Sequence, residues 1–142
     1  MNNIIDLNKR GYLANFKWLI DLDKILRSKK INLNLKKLKK YISLALVSKK
    51  EIKKLNKLYR NKDYVTDVLS FSLDTKEILG EVVICLDQAK KQAKEKKKSL
   101  KSELKLLTIH GILHLLGYNH EVSLKEKYKQ EKKEKEILNL LK

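Results

Sequence analysis

Strand-like and helix-like periodicities follow one another along this sequence, which predicts an α/β chain. Three observations carry the prediction. EVVICLD, residues 81–87, is a nearly continuous apolar run of the kind found in a central strand buried on both faces. VTDVLSFSL, residues 65–73, sets Val65, Asp67, Leu69, Phe71 and Leu73 on one side and Thr66, Val68, Ser70 and Ser72 on the other, the period of a strand. From about Ser102 to Leu116 the period lengthens to that of a helix, with Leu104, Leu107, Gly111 and His114 along one stripe.

The other elements follow in order. IIDLN, residues 4–8, reads as a short first strand, and Leu13, Phe16, Leu19, Ile20 and Leu26 then recur at helical spacing, with Trp18 packed in or beside that helix. YISLALVS, residues 41–48, alternates Ile42, Leu44 and Leu46 with smaller residues and reads as a strand. Ser48 and Glu51 make an S-x-x-E capping signature that opens a helix with the stripe Ile52, Leu55 and Leu58, ending near Arg60 and Asn61. Gln88 to Lys98 is helical, its KEKKK stretch a solvated face. Gly117 stops the long helix, because glycine takes the left-handed conformation that ends helices. Ser123 and Glu126 cap a final charged helix whose apolar residues, Leu124, Tyr128, Leu138 and Leu141, are enough to dock it only loosely.

A chain of 142 residues with 42% hydrophobic content builds one ordinary domain, so residues 1–142 are expected to form a single unit. The 34 Lys and Arg against 17 Asp and Glu leave a formal charge of +17, which favours polyanionic partners. Abundant Lys, Asn and Ile with no Pro also fit an AT-rich coding sequence, but the charge acts whatever its origin. No apolar run of about 18 residues is present to cross a bilayer, and the N-terminus lacks the apolar core of a signal peptide. A soluble, cytoplasmic protein with no membrane partner is expected. The single cysteine, Cys85, excludes an internal disulfide and sits in an apolar run, where packing is its role.

All three histidines fall within HGILHLLGYNH, residues 110–120. On a helix, residues four apart lie about 40° apart in projection and about 6 Å along the axis, so His110 and His114 share a face. A turn at Gly117 lets His120 return to the same point. Three imidazoles with an open fourth position describe a catalytic zinc site, in which the ion lowers the pKa of a bound water toward about 7. Metzincin peptidases use H-E-x-x-H-x-x-G-x-x-H, and this segment keeps every His and the Gly of that pattern. The Glu is replaced by Gly111, so the peptidase general base is absent. Glycine inside a helix costs about 1 kcal/mol relative to alanine, which suggests close approach of a strand or substrate at Gly111.

H-G-x-L-H-L-x-G-Y-[DN]-H resembles the signature of the YbeY family, bacterial metal-dependent endoribonucleases of ribosomal RNA maturation. LNKLYRNKDYVTDVLSFSL, residues 55–73, followed by LGEVVIC, resembles a second block of the same family. The resemblance implies an α/β (α+β) fold, a small mixed sheet packed against helices with a central metal-bearing helix. It implies that His110, His114 and His120 bind one zinc ion, although imidazole also suits other divalent transition metals, and that Arg60 serves the active site. It also implies single-strand-specific RNA cleavage in late maturation of small-subunit (16S) ribosomal RNA, including its 3′ end, and in ribosome quality control. The partners it implies are ribosomal RNA, the small ribosomal subunit, its proteins and an Era-type GTPase. Three positions depart from the family pattern: Asn119 and Glu81 stand where Asp is usual, and the final helix lacks a common Met. Asn119 is a neutral group able to orient His120 or a water.

Arg60 is one of only three arginines, with Arg10 and Arg27, among many lysines. A guanidinium fits phosphate oxygens bidentately where an ammonium does not. Thr66, Asp67 and Ser70 either line a cleft or make sheet hydrogen bonds, the second being the simpler reading, and Tyr118 packs over the turn or stacks on a base. Two other functions stay open from sequence: a metallopeptidase of zincin-like geometry, disfavoured by Gly111, and a noncatalytic ribosome-assembly factor whose zinc only stabilises the fold.

Overall fold

The computed structural model describes residues 5–8, 16–73 and 75–142. Ile4, Arg10 and Leu13, which enter the sequence reading, lie outside them. The chain runs β1 (Ile5–Asn8), α1 (Trp18–Arg27), a 3-10 turn at Lys37–Lys39, β2 (Tyr41–Val47), α2 (Lys49–Arg60), β3 (Val68–Ser72), β4 (Ile78–Cys85), α3 (Leu86–Glu95), α4 (Leu100–Leu115) and α5 (Leu124–Leu141). The strands form one mixed sheet in the order β1-β2-β4-β3, with β1, β2 and β4 parallel and β3 antiparallel to β4. The expected class, a small mixed sheet against helices, is the one found.

β4 is an inner strand buried on both faces, as its apolar run predicts. Val82 and Ile84 enter a large core with α1, α4 and α5, whereas Val83 and Cys85 enter a smaller one with Ile52 of α2 and Leu69 of β3. Successive side chains point to opposite faces, so one continuous run feeds two cores. Burial raises the Cys85 thiol above its ordinary pKa and keeps it protonated, in keeping with a packing role.

Helix ends follow their local signals, while some buried faces differ from expectation. Ser48 closes a capping box: its Oγ accepts from Glu51 N at 3.2 Å and its own N–H donates to Glu51 Oε1 at 3.5 Å. Asn61 ends α2 in the left-handed region at φ 56°. Ile52 and Leu55 pack as expected, but Leu58 is 68% exposed. Six residues on from Ile52 it points about 120° away. Its place on the inner stripe is taken by Asn56, whose Nδ2 donates to Tyr64 O at 3.0 Å. In α1 the inner face is Trp18, Leu19, Leu22, Asp23 and Leu26, and Ile20 is exposed.

The largest correction concerns α5. Leu124 and Tyr128 are 84% and 68% exposed. Leu138 does pack against the core and Leu141 is buried, but the docked stripe is Gln130, Glu134, Ile137 and Leu141, spaced by four, three and four residues. Two polar side chains therefore face inward.

α4 packs against α3, α5, β3 and β4, so it is the central helix. Its buried residues include Leu104, Leu107, Ile109, Ile112, Leu113 and Leu115, spread around the helix as a fully enclosed helix requires. Gly111 is where it crosses the sheet. A Cβ there would lie 2.6 Å from Val82 Cγ1 and 3.1 Å from Ser70 Oγ, and Ser70 Oγ donates to Gly111 O at 3.0 Å. The close approach expected at this glycine is thus by strands. Gly111→Ala gains about 1 kcal/mol of helix propensity but overpacks against a stiff β-branched valine at a cost of about 1–3 kcal/mol. Denaturant unfolding of this variant is expected to show a net loss of up to about 2 kcal/mol; a stability gain would show that the crossing is looser than the contacts indicate.

Candidate metal centre

His110 and His114 occupy the last two turns of α4, which Ser99 starts by accepting from Ser102 N through its Oγ at 3.0 Å. At the other end Gly117 adopts φ 102°, its N–H donating to His114 O at 3.1 Å while Tyr118 N donates to Leu113 O at 3.0 Å. A left-handed residue here satisfies carbonyls at the helix end and reverses the chain. Asn119 then forms a short turn, its Oδ1 accepting from Glu121 N at 3.1 Å. This contact shapes the loop that carries His120 rather than the imidazole itself. Tyr118 is half-buried against the core, which fits the packing reading of the two.

The loop brings the third histidine back. Ring centroids are 5.7 Å apart for His110 and His114, 4.8 Å for His110 and His120, and 5.2 Å for His114 and His120. The three imidazoles offer ligand atoms within 4.8 Å of one another, a group able to hold a metal ion. His114 Nε2 and His120 Nδ1 are 3.3 Å apart. Two nitrogens at about 2.0–2.1 Å from one tetrahedral ion are separated by about 3.3 Å, so this pair already has the required spacing. Burial, followed by the neighbouring His110 and His120, lowers the His114 pKa and favours the neutral ring that ligation needs.

Arg60 reaches the same cleft from the end of α2. The cleft, about 290 Å³, is lined by Arg60, the three histidines and residues of the β3 segment. Arg60 Nη2 lies 3.4 Å from Glu121 Oε1, and Glu121 Oε1 is 4.0 Å from His120 Nε2. Thr66, Asp67 and Ser70 line the cleft and also make the hydrogen bonds of the simpler reading. Asp67 Oδ1 accepts from Val68 N at 2.7 Å and its Oδ2 from Gln92 Nε2 at 3.1 Å. Gln92 also donates to the fully buried Glu103 of α4 at 3.2 Å, which Lys96 pairs at 2.8 Å. This network fixes α4 against α3 and β3.

Glu134 and Gln130 were absent from the sequence reading of the site. Glu134 Oε1 lies 2.6 Å from His110 Nδ1, and Gln130 Nε2 lies 3.1 Å from the same nitrogen. Their signal was a four-residue polar step in register with Ile137 and Leu141, concealed within the charged run KYKQEKKEKE.

The fold and cluster define an α+β protein with a three-histidine candidate metal centre on its central helix. The family model described as endoribonuclease YbeY matches residues 4–142, and the chain belongs to the YbeY family. Among similar proteins, one named endoribonuclease YbeY from Bacillus licheniformis is 45% identical over 111 residues, covering 69% of this chain and 70% of the relative. Another of that name from Staphylococcus saprophyticus is 39% identical over 126 residues, 82% of each chain. The solution structure of a Thermotoga maritima protein superposes with a TM-score of 0.62 at 32% identity, covering 95% of this chain and 89% of the other. Among the described residues, no helix is long and apolar enough to cross a membrane.

Proposed function

We propose that residues 1–142 act as a single metallo-endoribonuclease domain that cuts single-stranded RNA in a zinc-dependent reaction. In this reading His110, His114 and His120 are the metal ligands and Arg60 is the catalytic cation. Its biological setting is the cytoplasm and the late maturation of 16S ribosomal RNA, including its 3′ end, together with ribosome quality control. The partners are ribosomal RNA, the small subunit with its proteins, and an Era-type GTPase. The observation that carries the proposal is the meeting of Arg60 with three histidines in one cleft of a YbeY-family chain of charge +17.

When bound, a divalent ion supplies Lewis-acid charge stabilisation and a nucleophile at neutral pH. The chain's own residues do the rest. The histidines present neutral nitrogens, and Arg60 donates its planar fork to nonbridging phosphate oxygens as their charge grows. Glu121, exposed beside it, is a weak partner that a doubly contacted phosphate displaces. The lysines add attraction to the backbone without reading sequence. Peptidase chemistry fits poorly, since the position of its general base is Gly111, pressed against Val82 and Ser70, where a Glu side chain has no room.

The test uses metal-replete protein on matched single-stranded and duplex RNAs at several salt concentrations, with His114→Ala and Arg60→Ala alongside. Cleavage confined to single strands and lost in both folded variants is expected, with log affinity falling linearly in log salt. RNA left uncut by the wild type would leave the noncatalytic assembly role in its place, and metal-dependent cleavage of a peptide would establish the peptidase.

A further inference from the structure

The polar face of α5 makes contacts that helix docking alone does not require. Glu134 is buried, and its Oε1 meets His110 Nδ1 at 2.6 Å. A carboxylate only accepts hydrogen bonds, so this contact requires the proton on Nδ1 and leaves Nε2 as the ring's ligand atom. Gln130 is fully buried, and its Nε2 lies 3.4 Å from Glu134 Oε1 and 3.4 Å from His110 O. With Nδ1 already donating to Glu134, the Gln130 amide has no acceptor there, and its useful bonds run to the carboxylate and the carbonyl. Turning the amide over would set its oxygen against the carboxylate. Gln130 Oε1 is buried with no hydrogen-bond partner among the described residues, a cost that pure helix packing would avoid with an apolar side chain.

We propose that Glu134 is a positioning residue that locks His110 in the Nδ1–H tautomer with Nε2 toward the cluster, and that Gln130 holds the Glu134 carboxylate in place. The inference rests on the three-histidine metal reading and deepens it: α5 becomes the outer support of the centre. Outer hydrogen bonds of this kind typically change metal affinity by about 10–100-fold.

Two readouts on the full chain test it. In metal-free protein, nitrogen NMR of His110 is expected to show protonated Nδ1 in the wild type and mixed tautomers in Glu134→Gln, because an amide can either donate or accept. Titration with Co2+ is expected to show affinity about 10–100-fold weaker in Glu134→Gln, with Glu134→Asp recovering the Nδ1–H tautomer at least in part. An unchanged His110 tautomer, or unchanged Co2+ affinity with only the thermal midpoint lowered, would overturn the proposal and leave Glu134 a packing residue. Wild-type protein that takes up no Co2+ would instead overturn the metal reading, while the tautomer still reported on Glu134.

Discussion

His114→Ala is expected to weaken metal affinity by about 10²- to 10³-fold and to abolish RNA cleavage at limiting metal. The magnitude follows from sharing the roughly 10–16 kcal/mol of a four-ligand zinc site equally, about 2.5–4 kcal/mol for each ligand. The ring nitrogen of His114 already stands 3.3 Å from that of His120, so its removal takes away a pair that has ligand spacing. The position is in a helix and only partly buried, and alanine favours helix, so the variant should fold. Equilibrium dialysis against a metal buffer, with circular dichroism as the folding control, measures the effect. Wild-type affinity in the variant would exclude His114 as a ligand.

The same residue sets a pH dependence. Its folded pKa lies below the ordinary 6.5, through burial first and the adjacent imidazoles second, so the folded protein binds fewer protons than the unfolded chain. The contribution to stability is therefore fully present above about pH 6.5 and is lost as pH falls through the folded value. Ligation by a metal acts in the same direction, because the ion and the proton compete for the ring. Metal-free His114→Ala is expected to lose less stability than wild type on acidification.

How much of this was legible in the sequence depended on whether the determinant was local. Ser48 with Glu51, Ser123 with Glu126, and Gly117 were readable because each acts on backbone groups within a few residues. The histidine cluster was readable for the same reason, since its three members span eleven positions of one helix and one turn. β4 could be recognised as a central strand from its own apolar run, but nothing local specified the order β1-β2-β4-β3. Leu58, Leu124 and Tyr128 were misassigned because an apolar residue on a charged helix fits several stripes, and docking of the whole helix selects one. Gln130 and Glu134 were missed on the same grounds. Their meaning arises only when α5 lies on α4 and sets them against His110.

Arg60→Ala is expected to lower kcat for RNA cleavage by about 10²- to 10³-fold, the range for removing one positioned donor to developing charge, while leaving metal content unchanged. Arg60 is no ligand, because a guanidinium carries no free lone pair; its Nη2 pairs with Glu121 Oε1 at 3.4 Å in the cleft that the histidines line. The loss should fall mainly on kcat, because charge on the nonbridging oxygens is greater in the transition state than in bound substrate. Arg60→Lys keeps the charge but not the fork, so it should recover little of the rate while restoring the salt slope of binding. The two variants thus separate electrostatic attraction, which many lysines share, from oriented donation, the role proposed for Arg60 at the cleft. Full activity in Arg60→Lys would mean that charge alone is needed there, and the family-derived role of the guanidinium would fail even with the metal site intact.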